Sequence, residues 1–344
     1  MKRKKLNILY LGNALSGYGR TPTTIERLGK LLQKKYDVKT FSSAKLKLLR
    51  FFDCLLAIVW HRRTSDLILI DTYSTQYFWL AYFSGLLACW LHIPYIPILH
   101  GGALPHRFSK SERQVTQFLN GAAAIVSPSN YLKSYFDSQG FQVQTIPNFI
   151  DIRLYPYLER KKIQPKLLYV RSLHRKYNPK LAVSVLSVLI MKYPDAELCM
   201  VGPDKDGSLE ECKRFAGELG VMENITFTGI LGLKEWTDLA QQYDIFINTT
   251  NVDNTPVSVI EAMALGIPIV STNVDGIPFL LDHGDNALLV PPNDETEFAN
   301  AVFQLLEYPE KALQLATKAR TKAESFRKET VLSNWEELVE DTLK

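Results

Sequence analysis

The chain is poor in cysteine: Cys54, Cys89, Cys199 and Cys212 lie far apart, and no Cys-x-x-Cys pair occurs. That argues against a zinc ribbon or a disulfide framework and fits a reducing compartment. A Gly-x-Gly-x-x-Gly fingerprint is also missing, which removes the usual signature of a nicotinamide dehydrogenase; only Gly17-Tyr18-Gly19 follows the first apolar run. No repeat of solenoid period and no low-complexity stretch is visible. The one Asp-x-Asp sequence, Asp204-Lys205-Asp206, follows a short apolar run and reads as a solvated turn, so no metal is expected. Thr72 to Leu99 contains no Asp, Glu, Lys or Arg. That stretch is long enough to cross a bilayer, but Gly85, Pro94 and Pro97 divide it, and a buried helix (76–91) followed by a buried strand (95–99) is expected instead. Met1-Lys-Arg-Lys-Lys before Leu6–Leu11 has the look of a signal peptide, yet the apolar run is short and a glycine loop follows, so it reads as a first buried strand.

What is present describes an ordinary globular protein, with 46% apolar and 22% charged residues in 344, a length comfortable for two domains. The net charge of +4 conceals an asymmetry. Residues 1–155 carry 20 Lys and Arg against 8 Asp and Glu, while residues 156–344 carry 20 against 28. The first half is therefore expected to meet something anionic, a membrane surface or a phosphorylated substrate. Within it, Lys45–Arg63 has basic ends and an apolar middle. It could lie on an anionic membrane or form a core helix, and the core reading is preferred for its apolar face.

Short apolar runs alternate with helical patterns. Asn7–Leu11, Leu67–Ile70, Tyr95–Leu99 and Ala124–Ser127 read as strands of a first set, with Thr23–Lys35 as a helix. A second set follows in Lys166–Val170, Glu197–Gly202, Asn224–Gly229, Asp244–Asn248 and Pro268–Ser271, with a helix at Lys180–Lys192 and further helices at about 295–306, 309–325 and 328–343. Strands spaced by helices mean β-α-β units and parallel sheets. The expected architecture is two doubly wound α/β domains facing a central cleft, with ligands beyond the carboxyl ends of the strands. The expected division is 1–152, 153–325 and a C-terminal helix, 326–344, that packs back on the first domain.

The most legible segment is Asn248 to Pro268. A strand ends near Asn248, Asp253, Asn254 and Thr255 are N-cap residue types, Pro256 suits a first helical position, and Gly266 suits a stop. A polar loop opening a helix at the end of a strand attracts anions, a diphosphate being the natural occupant. Glu261 lies five residues beyond Pro256, roughly 7–8 Å along the axis, about the reach from a diphosphate to a ribose. Asp253 would then hold the sugar at the other end. A helix capped by Asp253, with Glu261 in a structural ion pair, explains the same residues equally well.

Two acidic residues separated by seven others, Asp253 and Glu261, precede Ala262-Met-Ala-Leu-Gly-Ile-Pro-Ile-Val; Gly276-Ile-Pro, Asp282–Asp294 and the upstream Ile146-Pro-Asn-Phe-Ile-Asp continue the pattern. In this combination the chain resembles glycosyltransferase family 4, the retaining enzymes of GT-B fold, strongly over about 145–295. The resemblance implies that Glu261 binds a ribose, that Asp253 contacts the donor sugar, and that Asn254, Thr255, Pro256, Val257 and Ser258 contact sugar and phosphates. The first acid is usually Glu, so Asp253 departs from the pattern and the donor sugar cannot be inferred. The family's diphosphate-binding Arg and Lys, five residues apart, match Arg171 and Lys176 in spacing. Alignment to the usual Val-Gly-Arg-Leu, however, places Ser172 and Tyr177 there instead, so Arg171, Arg175 and Lys176 are all candidates. His100 stands where family members have a histidine facing the donor, and Gly17 and Gly19 form either a ligand loop or a simple turn.

The implied activity is retaining, metal-independent transfer from a UDP- or GDP-sugar to a glycan or lipid-linked acceptor, in polysaccharide or glycolipid biosynthesis. The expected location is cytoplasmic, peripheral on the inner face of the plasma membrane, with no cofactor and no nucleic acid. A sugar-nucleotide epimerase of the same architecture, or a non-catalytic sugar-binding scaffold, are the alternatives.

Overall fold

The computed structural model describes residues 5–15 and 23–344, so Gly17 and Gly19 lie outside the described residues. The chain divides into two compact units, Met1–Asn148 with Lys328–Lys344, and Phe149–Arg327.

In the first unit the strands are β1 (Asn7–Leu11), β2 (Asp37–Phe41), β3 (Leu67–Thr72), β4 (Tyr95–Leu99), β5 (Ile125–Ser127) and β6 (Val143–Thr145). They form one parallel sheet in the order β2-β1-β3-β4-β5-β6. The connections hold α1 (Thr24–Leu32), α2 (Lys47–His61), α3 (Tyr77–Trp90), α4 (Leu104–Lys110), α5 (Glu112–Asn120) and α6 (Asn130–Ser138). Every residue of β3 and β4 is buried, as expected for strands covered by helices on both faces. The edge strand β2 buries only Val38 fully.

The second unit runs β7 (Lys166–Val170), α7 (Pro179–Ile190), β8 (Glu197–Val201), α8 (Ser208–Glu218), β9 (Ile225–Gly229), α9 (Leu233–Ala240), β10 (Ile245–Asn248), α10 (Val257–Leu265), β11 (Ile269–Thr272), α11 (Ile277–Leu280), β12 (Leu288–Val290), α12 (Glu295–Glu307) and α13 (Pro309–Ala323). Its parallel sheet has the order β12-β11-β10-β7-β8-β9. Side chains alternate across it with the strand period of two. Leu167 and Tyr169 join one apolar core with α7, α8 and α12, while Leu168 joins another with α9 and α10. The chain then returns to the first unit as α14 (Lys328–Thr342), which buries Val331, Trp335, Leu338 and Val339 and pairs Glu336 and Glu340 with Lys35 beyond α1.

Each sheet has one place where chain order reverses, and loops leave in opposite directions there to open a crevice. In the first unit it lies between β1 and β3, and in the second between β7 and β10.

Helix α2 departs from the preferred sequence reading. Arg50, Cys54, Ala57 and Ile58 face inward, but Leu48, Leu49, Phe52, Leu56, Val59 and Trp60 are exposed, so it is not a core helix on both sides. The uncharged stretch from Thr72 forms α3 and β4 as expected. Among the described residues no helix is long and apolar enough to cross a membrane.

Candidate functional site

At the reversal point of the second sheet, Arg171 leaves the end of β7 and Asp253 stands in the loop after β10. The Arg171 Nη2 donates to the Asp253 carboxylate across this crevice, with the Asp253 side chain 9% exposed. The guanidinium also lies over the Tyr177 ring, 4.2 Å from its centroid. Burial disfavours the charged guanidinium, but the Asp253 carboxylate and then Tyr177 outweigh it and raise its pKa. Its Nε is buried with no hydrogen-bond partner among the described residues.

Two glycines let the backbones come this close. A Cβ on Gly202 would stand 2.1 Å from the Arg171 carbonyl oxygen, and one on Gly276 would stand 1.8 Å from that of Asn254. Both loops are also tied together. Thr249 Oγ1 donates to the carbonyls of Tyr177 (3.0 Å) and Asn178 (2.8 Å), and the Asn251 amide donates to the Lys176 carbonyl at 2.8 Å.

Of the candidate cations, Arg171 and Lys176 gather around Tyr177, with the Lys176 Nζ 4.5 Å from the ring centroid. Arg175 instead turns outward to Glu211 on α8 at 2.5 Å. The Asp204-Lys-Asp206 turn spends its carboxylates on local hydrogen bonds. Asp204 accepts from the Gly207 amide at 3.0 Å, and Asp206 accepts from the Arg175 amide at 3.0 Å and the Ser208 hydroxyl at 2.5 Å.

Helix α10 starts at Val257, one residue later than the sequence suggests, so Pro256 is its N-cap and supplies no capping side chain. Asp253, Asn254 and Thr255 precede it in the loop; the Asn254 amide donates to the Asp253 carboxylate at 2.9 Å. Asp275, beside this loop, has its pKa raised by burial and by the Asp253 charge, although an Asp253 backbone hydrogen bond opposes the shift. Val257, Ser258 and Glu261 are half-buried while the rest of α10 from Val259 to Leu265 is buried. Spacings of three and four put these three on one helical face. Tyr155 Oη donates to Glu261 Oε1 at 2.5 Å, a contact that sequence reasoning missed. Tyr155 is itself buried against Trp236, with ring centroids 6.3 Å apart.

The first unit holds a second cluster at its own reversal point. His100, just after β4, places Nε2 2.7 Å from Asp71 Oδ1 at the end of β3. Tyr10 of β1 donates to the same oxygen at 2.9 Å, and the Tyr73 ring stacks on His100 at 5.3 Å. A carboxylate on Nε2 selects the tautomer with its proton there and leaves Nδ1 as acceptor. Burial and then the Asp71 charge hold both tyrosine hydroxyls well above the usual phenol range. Asp71 was also missed. Its signal was a carboxylate inside an otherwise apolar strand, which is costly unless partnered. A Cβ on Gly12 would come within 2.6 Å of its second oxygen, so a glycine is needed there.

Residues 157–322 match the family model described as glycosyl transferases group 1, and residues 21–154 match the model of Glycosyltransferase Family 4. Among curated relatives, an uncharacterized glycosyltransferase of Haemophilus influenzae is 30% identical over 157 residues, 44% of this chain and 42% of the relative. The N-acetyl-alpha-D-glucosaminyl L-malate synthase of Bacillus anthracis is 29% identical over 213 residues, 59% of this chain and 54% of the relative. The chain thus matches about half the length of these relatives. Among solved structures, sucrose-phosphate synthase from Thermosynechococcus elongatus superposes with a TM-score of 0.79 at 16% identity, covering 98% of this chain and 99% of that one. Anabaena HepE in complex with UDP-glucose gives 0.76 at 19%, covering 98% and 100%. At these identities the structural likeness establishes the fold, while the two sequence models between them account for most of the chain. With two parallel six-stranded sheets, each flanked by helices, the chain belongs to glycosyltransferase family 4 and has the GT-B fold.

Proposed function

We propose that this chain transfers a sugar from a nucleoside diphosphate-sugar, a UDP- or GDP-sugar, to a hydroxyl of a glycan or lipid-linked acceptor, retaining the anomeric configuration and without a metal. The observation that carries the reading is the pairing of Arg171 with Asp253 across the reversal point of the second sheet, with Glu261 on the half-buried face of the adjoining helix. Arg171 has a buried Nε–H without a partner among the described residues, and a β-phosphate oxygen is a suitable acceptor for it. The Glu261 carboxylate, held by Tyr155, suits a ribose diol. The structural neighbour HepE was solved with UDP and with UDP-glucose, which supports a donor of this class.

In the proposed reaction the bond from the sugar's anomeric carbon to the β-phosphate oxygen breaks and the nucleoside diphosphate leaves with the electron pair. The acceptor oxygen bonds to the same face of that carbon, and its proton passes to the departing phosphate. Arg171 and Lys176 stabilise the charge that develops on the leaving group. Asp253 shares Arg171 before the donor arrives and turns to the sugar hydroxyls when phosphate takes over the guanidinium. His100, whose Nε2 is held by Asp71, keeps Nδ1 as an acceptor suited to a sugar hydroxyl. An anionic membrane is a fitting partner for the basic first half, as a place where lipid-linked acceptors are found.

The test is a panel of UDP-, GDP-, ADP- and dTDP-sugars scored for binding and slow hydrolysis, with Glu261→Ala beside the wild type. One donor should bind, and the variant should bind it at least tenfold more weakly, the loss expected for hydrogen bonds to a charged group. Binding of no nucleotide-sugar, or equal binding by the variant, would reject the assignment.

A further inference from the structure

A helix that packs on a sheet normally turns its polar side to water. Helix α2 does the opposite. At 100° per residue, Leu48, Leu49, Phe52, Leu56, Val59 and Trp60 all lie within about 60° of one direction, and all six are exposed. Trp60 is 84% exposed and Leu48 75%. Lys45, just before the helix, and Arg63, just beyond it, are exposed cations flanking the two ends of the stripe. Beside it, α3 has no charged residue and exposes Trp79, Phe83 and Trp90, which its periodicity also places on one face. Phe51 and Phe83 join the two helices through rings 5.8 Å apart. Between residues 38 and 65 the only acid is the half-buried Asp53, against Lys39, Lys45, Lys47, Arg50, Arg62 and Arg63.

We propose that this α2–α3 face docks on an anionic lipid bilayer. Helix α2 would lie in the headgroup plane, with Phe52, Leu56 and Trp60 at the acyl boundary and the terminal lysines and arginines on lipid phosphates. Neither helix is long enough to span. An apolar stripe with tryptophans at its margin and cations at its ends is what an interfacial helix requires. A second copy of the chain is a poorer occupant, because a two-fold contact would set the same cations against each other.

The docked face is coupled to the reaction side of its own unit. Arg50, on the inward side of α2, donates to Asn13 Oδ1 and to Tyr77 Oη, both at 2.7 Å. The first turn of α2 is thereby fixed to the segment after β1, at the carboxyl end of the sheet, where Asp71 and His100 sit. The inference deepens the proposed transfer and rests on it for its purpose: the acceptor would be a hydroxyl on a membrane-held lipid headgroup or lipid-linked glycan.

The test is co-sedimentation of the full chain with vesicles of phosphatidylcholine alone, or in equal parts with phosphatidylglycerol, at low and high salt. The expected result is salt-sensitive binding to the anionic vesicles. Each of Arg62→Gln and Arg63→Gln should weaken it roughly fivefold. The exposed pair Leu56→Ser with Trp60→Ser should weaken it at least tenfold through lost apolar burial. Met191→Ser, an equally exposed apolar site in the second unit, should change nothing. Donor hydrolysis without vesicles should be the same for all these variants, so a failed docking surface is distinguishable from a failed transferase assignment. Absence of preference for anionic vesicles overturns the proposal. So does a wild-type dimer in sedimentation velocity that the Leu56→Ser/Trp60→Ser pair dissolves without affecting vesicle binding, since the face would then be a self-contact.

Discussion

At the scale of single residues, the roles of the acids depend on what holds them. Asp253 and Glu261 were legible because their spacing is local and sits in one loop and helix. Tyr155 was not, being 106 residues from the carboxylate it meets, and the same holds for Asp71 and His100, 29 apart. Only the crossing of strands and connections brings such partners together, and one chain's sequence does not record that. The Tyr155 contact carries a prediction. Tyr155→Phe keeps the buried ring and removes one charge-assisted hydrogen bond, of about 1.5–3 kcal/mol. Nucleotide binding measured by titration calorimetry should weaken by roughly ten- to a hundredfold, while turnover at saturating donor stays near wild type. A fall in turnover with unchanged affinity would mean that Glu261 serves the transition state and not the ribose.

At the scale of elements, α10 shows why the motif needs its surroundings. Its amino end is left to Pro256, but its carboxyl end is tightly finished. Gly266 takes φ 69°, and Arg160 donates to the carbonyls of Leu265 and Gly266 at 3.2 Å each. The same guanidinium reaches the Ala240 carbonyl at the end of α9 and that of Tyr243, both at 3.0 Å. Arg320 adds a donor to the Ala264 carbonyl. Cations at a helix carboxyl end are favourable, and these also satisfy carbonyls that would otherwise be orphaned. Arg160 is 4% exposed and its charge is disfavoured by that burial, so its hydrogen bonds must outweigh a desolvation penalty. Arg160→Ala removes the donor to the buried Tyr243 and Gly266 carbonyls, while those of Leu265 and Ala240 keep a backbone partner; it should cost about 3–5 kcal/mol, read as a large drop in the second unit's urea midpoint. Strands such as β3, β4 and β7 were legible because continuous apolar runs admit few other readings. β2 was not read, since Asp-Val-Lys-Thr-Phe buries one residue fully and carries no strong period. The exposure of α2 was hidden for a different reason: its apolar stripe is well marked, but a stripe alone does not say whether the protein's own core covers it.

At the scale of the whole molecule, the chain crosses between units twice, near Asn148 and again near Lys328. The last 17 residues therefore stabilise the unit that the first 148 build. Val331, Trp335, Leu338 and Val339 are all buried there, at about 1.5–3 kcal/mol per large side chain. That sum is comparable with the whole stability of a domain. A chain ending at Arg327 should lose the cooperative unfolding of the first unit in calorimetry while its second unit still melts and still binds nucleotide. The return path has a further consequence. The Ile150 amide donates to the Phe326 carbonyl at 2.9 Å, and Ile150 pairs with Arg327, so the entry and exit of the second unit run side by side. A guest with adjacent ends can be lifted out of its host: a few glycines joining Asn148 to Lys328 would close the host, and another chain's cassette grafted at the same two bonds would test whether the choice of donor travels with the guest.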